Sequence, residues 1–371
     1  MNYYCARCGR EWDYPVSNCI FCDGKVEKID TSEHVIDDMV QVSIPTEDHP
    51  IVPYYVMLLR GPDGSYKFKK TFQNHEIGDK IHLESERYDK CTIGIIGTGI
   101  TGRGIAEVAL RTGNSIILKS RSSGALENTL DKLSRNLYKS LNIEESQLLL
   151  EKMTTTTDYI SLAKADFIIE SVVEDLKVKR NIFRILDSVC DPDVVLATNT
   201  SSLSISKISD GLRYPERVVG LHFFNPITRM QLIEIIKGDK TSDDTLSKCA
   251  DIAKKLGKVS ILAKDTPGFV VNRLLFTLIN EACWMLEKGT SSVEEIDKAM
   301  KLGANHPMGP FELADLIGLD LCKEIIENLN CDSENIMSHS TNILNELVRK
   351  GYLGKKSGRG FYDYNEQLNY C

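Results

Sequence analysis

The chain has 371 residues, 42% hydrophobic and 26% charged, which is room for two or three domains, each with its own core. A formal net charge of −8 argues against nucleic acid as the main partner, because phosphate backbones bind positive footprints. No apolar run approaches the roughly 18 to 20 residues of a membrane helix, and the start, MNYYCARCGREW, has neither the basic nor the apolar region of a signal peptide. Without an export signal, the 11 cysteines read as thiols and metal ligands of a reducing compartment, the cytoplasm, and not as a disulfide framework.

Residues 1–28 hold two knuckles, Cys5-x-x-Cys8 and Cys19-x-x-Cys22, each with a glycine close behind (Gly9 and Gly24). Four thiolates in this pattern suit one tetrahedral structural zinc, and metal binding would supply most of the folding energy of so short a segment. A redox pair is the rival reading, but the βαβ pattern that houses thioredoxin-like CxxC motifs is missing here. From 29 to 89 the pattern predicts short strands at Val35-Ile36, Val40–Ile44, Tyr54–Leu59, Tyr66–Lys69 and Lys80–Leu83. Turn signals such as Pro62-Asp63-Gly64 and Gly78-Asp79 separate them, which suggests a small β-barrel of OB type. A plain packing domain is the alternative. Single-stranded nucleic acid is disfavoured by the acidic balance.

At residue 91 a different pattern begins: CTIGIIGTGITGRGIAEVALRTGNSIILKSR. An apolar run meets Gly97-Thr98-Gly99-Ile100-Thr101-Gly102, then a helical pattern, then a second apolar run, giving one βαβ unit. Gly97 makes the tight turn, Gly99 lets a pyrophosphate approach the backbone, and Gly102 lets helix pack on strand, so these six residues are expected to cradle a dinucleotide at the helix N-terminus. A helical pair follows from Leu126 to Met153, with a polar break at Ser140-Leu141-Asn142. Buried strands are expected at Ala165–Glu170, Val194–Thr198 and Val218–His222, which with the intervening helices define a doubly wound parallel sheet. Ligands of such sheets sit at the carboxyl ends of the strands, so chemistry is expected at Asn199-Thr200-Ser201-Ser202 and at His222–Pro226. Asp265-Thr266-Pro267-Gly268 breaks the pattern, and Phe269 to Glu287 has the periodicity of a long helix.

Two resemblances stand on these stretches. The cysteine knuckles, PYYVMLLRGPDG and IGDKI resemble the acyl-CoA-associated OB-fold family, which implies a module accompanying acyl-thioester enzymes, often beside a thiolase-like partner. The glycine loop, NTSSLSI, GLHFFNPITRMQLIEII, KDTPGFVVNRLL, GANHPMGPFELADLIGLD and LGKKSGRGFYDY, in order over about residues 91 to 365, resemble the 3-hydroxyacyl-CoA dehydrogenase family. That resemblance implies an α/β Rossmann domain (90–266) and a C-terminal all-α domain (267–371) that dimerises, after a zinc ribbon (1–28) and OB-like barrel (29–89). It implies His222 as the acid–base group, with Glu234 orienting it and stabilising its charged form. Ser201 would hydrogen-bond the substrate oxygen, and Asn272 would donate to the thioester-side carbonyl. Glu174, Lys179 and Asn225 resemble family residues on the nicotinamide side.

Two departures from the family pattern matter. Ser120, flanked by Lys119 and Arg121, replaces the aspartate that would bind the adenosine ribose hydroxyls. The missing carboxylate and the added cations favour NADP(H) over NAD(H), with Ser120 and Arg121 as the discriminating contacts; solvated surface charges and weakened NAD binding are the rival account. The helical pair from Leu126 to Met153 is also shorter than in family members, where that region contacts the CoA nucleotide. A carrier-protein thioester therefore stays open beside a CoA thioester. The leading expectation is an oxidoreductase interconverting 3-hydroxyacyl and 3-oxoacyl thioesters. A non-catalytic nucleotide-binding scaffold for a thiolase-like partner is the rival, and the joint presence of Ser201, His222, Glu234 and Asn272 speaks against it.

Overall fold

Two units carry the chain, residues 1–89 and 90–371. A computed structural model describes residues 2–5, 11–12, 26–29, 33–42, 54–61, 64–71, 76–82, 91–139, 141–330 and 342–365. In the first unit β1 (Asn2–Cys5) pairs antiparallel with β2 (Glu11–Trp12) and β3 (Val26–Ile29). Of the expected zinc ligands, Cys8, Cys19 and Cys22 lie outside the described residues, and Cys5 is described only as the last backbone position of β1. A second antiparallel sheet contains β4 (Glu33–Val42), β5 (Tyr54–Arg60), β6 (Tyr66–Thr71) and β7 (Lys80–His82), in the order β6-β5-β4-β7. The strands expected separately at 35–36 and 40–44 are one strand. A register shift between Ile36 and Asp38 interrupts its alternation, so one bulged strand reads as two. Ile36, Met57 and Leu59 form its buried face. Among the described residues no ladder joins β6 to β7, the two outer strands of this sheet.

The second unit begins with β8 (Thr92–Ile96), α1 (Ile100–Arg111) and β9 (Ser115–Lys119), the expected βαβ unit. Then come α2 (Ser123–Tyr138), α3 (Ile143–Leu150), β10 (Met153–Thr156), β11 (Phe167–Glu170), α4 (Leu176–Val189), β12 (Val195–Thr198), α5 (Ile205–Ser209) and β13 (Val218–Phe223). The sheet closes with β14 (Leu232–Lys237), α6 (Asp243–Lys255) and β15 (Val259–Lys264). Its eight strands run β10-β9-β8-β11-β12-β13-β14-β15. Strands β10 to β13 are mutually parallel, β14 runs against β13, and β15 runs with β14. The expected strands are parallel as read, and β14 and β15 extend the sheet in the opposite direction. Met153, taken as a helix end, instead opens the edge strand β10, whose threonines are only partly buried and carry no apolar alternation.

Both faces of the sheet are covered, as parallel strands require, so β11, β12 and β13 are buried at every position. One apolar layer joins Ile105 and Leu110 of α1, Leu133 and Leu137 of α2 and Ile252 of α6 to the sheet. The other gathers Ile182, Phe183 and Leu186 of α4 with Ile205 and Ile208 of α5. The helical part comprises α7 (Val271–Glu287), α8 (Val293–Gly303), α9 (Pro310–Ile317), α10 (Leu319–Asn330) and α11 (Ile343–Arg349), packed around Phe276, Ile279, Phe311, Leu319 and Ile326. Among the described residues no helix is long and apolar enough to cross a membrane.

Candidate active site

The glycine turn joins β8 to α1 as its spacing predicts. Gly97 has φ of 118°, and a Cβ there would strike the Ser171 carbonyl oxygen. A Cβ on Gly102 would strike the Gly97 carbonyl, which fixes how closely the helix sits on the strand. Gly99 is different: nothing lies within 4 Å of where its Cβ would be, so open space faces the backbone at the N-cap of α1. The first turn of α1 carries no acidic residue, and its free N–H groups and positive dipole end suit a pyrophosphate. Ile100 is exposed at that helix start, and Thr101 accepts a hydrogen bond from Asn225 Nδ2 at 3.2 Å, tying the glycine turn to the loop after β13. These residues fit a bound dinucleotide.

At the end of β9, Ser120 is buried with its hydroxyl 3.3 Å from that of Thr98, and its N–H donates to Thr156 O. Arg121 is exposed and makes no ion pair among the described residues. Lys119 turns to the opposite face of the strand, where its ammonium lies over the Tyr159 ring.

His222 and Glu234 face each other as register partners across the antiparallel β13–β14 pair. His222 Nδ1 lies 2.7 Å from Glu234 Oε2, with the histidine 5% and the glutamate 0% exposed. The imidazole is held between two rings, 4.5 Å from the Phe224 centroid and 5.7 Å from that of Phe269. Its Nε2 makes no hydrogen bond among the described residues. Glu234 is fully used: its Oε1 accepts from the N–H groups of Val270 and Val271 at 3.1 and 2.9 Å. Those donors open α7, whose N-cap has no side-chain cap of its own, so Glu234 caps the helix and orients the histidine together.

The loop after β12 brings Ser201 to the same region. Asn199 Oδ1 accepts from Phe223 N at 2.9 Å, which ties the end of β12 to the end of β13. Asn272, the second residue of α7, has its Nδ2 3.5 Å from the Ser201 carbonyl oxygen. The Ser201 hydroxyl makes no hydrogen bond among the described residues, while its N–H donates to Glu174 Oε1 at 2.9 Å. Glu174 Oε1 also accepts from the Thr200 hydroxyl and from the N–H and hydroxyl of Ser202. Burial would push the Glu174 carboxyl up, but the Lys179 ammonium and these donors outweigh it and hold it below the usual carboxylate range.

Lys179, expected on the nicotinamide side, lies beneath the same loop. It is 1% exposed, and its ammonium donates to both oxygens of Glu170, at 2.8 and 3.0 Å, with Glu174 Oε2 at 3.4 Å. Contacts with two carboxylates offset the desolvation of its ammonium. Glu170 also accepts from Thr198 Oγ1 and Val172 N. Sequence reasoning missed Glu170 and Thr198, because nothing in a buried strand pattern shows that its last residues will share a lysine. Asp265 was read only as a break. It accepts from the Ser204 hydroxyl and from the N–H groups of Ile205 and Ser206, and so caps α5.

An open glycine turn under a helix N-terminus, beside a buried His–Glu pair with one free imidazole nitrogen, defines a dinucleotide-dependent dehydrogenase. The comparisons with known proteins agree. The model described as "3-hydroxyacyl-CoA dehydrogenase, NAD binding domain" matches residues 92–266, and "3-hydroxyacyl-CoA dehydrogenase, C-terminal domain" matches 268–364. The 3-hydroxybutyryl-CoA dehydrogenase of Clostridioides difficile is 42% identical over 279 residues, which covers 74% of this chain and 99% of that protein. The human mitochondrial hydroxyacyl-coenzyme A dehydrogenase is 41% identical over 283 residues, 73% of this chain and 90% of that one. Among solved structures, (S)-3-hydroxybutyryl-CoA dehydrogenase PaaH1 from Ralstonia eutropha superposes with a TM-score of 0.72 at 37% identity, covering 75% of this chain and all of that one. The chain belongs to the 3-hydroxyacyl-CoA dehydrogenase family.

The Glu174 anchor has a pH signature. A carboxyl held lower in the folded than in the unfolded protein contributes stability that is fully present above the unfolded value, near the ordinary 4.5, and is lost as pH falls through the lower folded value. Urea melts of the wild type and Glu174→Gln should therefore differ at pH 7 and converge on acidification below that range. A gap that stays constant down to pH 3 would show that the carboxylate charge does not hold the loop.

Proposed function

We propose that this protein interconverts 3-hydroxyacyl and 3-oxoacyl thioesters of coenzyme A, using a nicotinamide dinucleotide as hydride donor or acceptor. The observation that carries this reading is the His222–Glu234 pair at 2.7 Å, with Nε2 left free beside the loop of Ser201. When bound, the nicotinamide ring supplies or accepts the hydride. In the oxidative direction His222 Nε2 takes the hydroxyl proton of the substrate, and in the reductive direction it returns that proton to the carbonyl oxygen. Glu234 stabilises the imidazolium and fixes the tautomer through Nδ1. The Ser201 hydroxyl donates to the reacting oxygen, where charge develops as the hydride moves, and Asn272 Nδ2 donates to the thioester carbonyl and so orients the acyl group. Gly97 to Gly102 hold the pyrophosphate; Glu174, Thr200 and Asn225 wall the nicotinamide end, with Lys179 acting through Glu174.

Removing the acid–base group should cost on the order of 10² to 10⁴ in kcat. His222→Ala should show this loss with acetoacetyl-CoA while the Kd for the dinucleotide stays near wild type, and Glu234→Gln should fall in the same direction. Wild-type turnover in His222→Ala would remove the histidine from the mechanism.

The adenosine end supports a preference for NADP(H). Ser120 offers a hydroxyl where a carboxylate would repel a 2′-phosphate, and Arg121 on the following residue is an exposed guanidinium with no ion pair among the described residues. With that preference, reduction of the 3-oxoacyl thioester is the working direction. Steady-state kinetics should give a higher kcat/KM with NADPH than with NADH, and Ser120→Asp with Arg121→Ala should reverse the order. A wild-type preference for NADH sinks the reading.

The N-terminal unit supports a second part of the proposal: a ribbon in which Cys5, Cys8, Cys19 and Cys22 bind one structural zinc, and an OB-like sheet that recruits a thiolase-like partner. Exposed leucines on the helical part, Leu274 at 70%, Leu302 at 78% and Leu316 at 50%, fit a homodimer through that part. Metal analysis should give one zinc per chain, and light scattering a dimer mass. Clearly less than one equivalent with intact thiols, or a monomer, would remove the corresponding element.

A further inference from the structure

Two lysines of the dinucleotide-binding domain are buried, one at the end of β9 and one in the first turn of α4, and their charges are met differently. Lys179 is 1% exposed and meets Glu170 and Glu174. Lys119 is 4% exposed, yet no carboxylate among the described residues pairs with it. Its ammonium lies 3.6 Å from the centre of the Tyr159 ring, its one recorded partner. A ring face returns only part of what desolvation takes from an ammonium, so the site is a buried cation still short of an anion.

Its place in the fold says which anion. Consecutive strand residues point to opposite faces, so Lys119 reaches the carboxyl end of β9 from one face and Ser120 from the other. Arg121 then begins the turn into α2, whose first helical turn contains no acid. A hydroxyl, a guanidinium and an ammonium thus come from three consecutive residues at one strand end. In a sheet of this kind that is where the adenosine ribose of a dinucleotide lies.

We propose that Lys119 is the second cation of a 2′-phosphate site, resting on the Tyr159 ring until the phosphate arrives. Specificity for the phosphorylated dinucleotide then comes from both sides of β9 and not from Arg121 alone. The inference rests on the NADP(H) reading given above.

Calorimetry on the full chain separates the two. Adenosine 2′,5′-bisphosphate and adenosine 5′-monophosphate are the probes, and neither requires turnover. Wild-type protein should bind the bisphosphate more tightly, and Lys119→Met should weaken the bisphosphate on the order of tenfold relative to the monophosphate. Lys119→Arg, which keeps a cation, should retain most of the discrimination. Equal binding of both probes by the wild type would refute the NADP(H) reading itself. Discrimination in the wild type that survives intact in Lys119→Met, or an equal fall for both probes, would overturn the role of Lys119 and leave that reading standing.

Discussion

One carboxylate holds the reacting centre together. Glu234 is fully buried and spends its oxygens on His222 Nδ1 and on the two N–H groups that open α7. It therefore joins three things distant in the chain: a sheet strand, the imidazole of His222 and the first turn of the helical part. The reversal of β14 makes this possible. Because β14 runs antiparallel to β13, Glu234 falls directly opposite His222, close to the edge where the parallel strands end. Glutamine at 234 could still accept with its one carbonyl oxygen, but an uncharged acceptor would stabilise an imidazolium far less.

The loop bearing Ser201 depends on a second buried charge group. Glu170 and Lys179 are almost wholly out of water, a state that costs several kcal/mol per ion unless every lone pair and proton is used. Here they are used. Glu170 takes both Lys179 contacts, the Thr198 hydroxyl and Val172 N–H, and Lys179 is shared with Glu174. Two carboxylates on one ammonium leave the group with net negative charge, and Glu174 carries it to the N–H groups of Ser201 and Ser202. Breaking any member would leave a buried charge unmatched and free the loop. The loop is thus positioned from below, while its hydroxyl stays available above.

The parts of this design that were legible are those in which local geometry is forced. At Gly97 no other residue tolerates the backbone, and the helix cannot approach the strand at Gly102 with a side chain between them, so the glycine spacing carries its own structural meaning. His222 was legible as the end of a buried strand in a sheet whose ligands gather at strand ends. Strand direction was not: LIEIIK is apolar whether β14 runs up or down, and only the pairing with β13 decides. Nor was the partner of a charge. Lys119 and Lys179 look alike in sequence, one flanked by leucine and serine, the other by valine and arginine. One ends on the ring of Tyr159, in a later segment, and the other on Glu170 and Glu174 across the turn between β11 and α4, and the flanking residues announce neither contact.

The same logic explains how the helical part is registered on the sheet although it contributes few site residues. Asp265, just past β15, caps α5 through Ser204, Ile205 and Ser206, and Glu234 caps α7 five residues further on. Between Asp265 and the capped N–H groups of Val270 and Val271 lie only residues 266–269, so Asn272 cannot drift from the Ser201 loop without uncapping a helix. Within the helical part, Asp297 caps α9 through Phe311 and Glu312 and also receives the Tyr362 hydroxyl. Asp315 takes the N–H groups of Phe361 and Tyr362 and the Tyr364 hydroxyl. Burial raises the Asp315 carboxyl, and these donors only partly counter it. Buried acids that satisfy helix ends and chain reversals thus recur at each junction, and the one at 234 differs from the rest in having a titratable imidazole as its third partner.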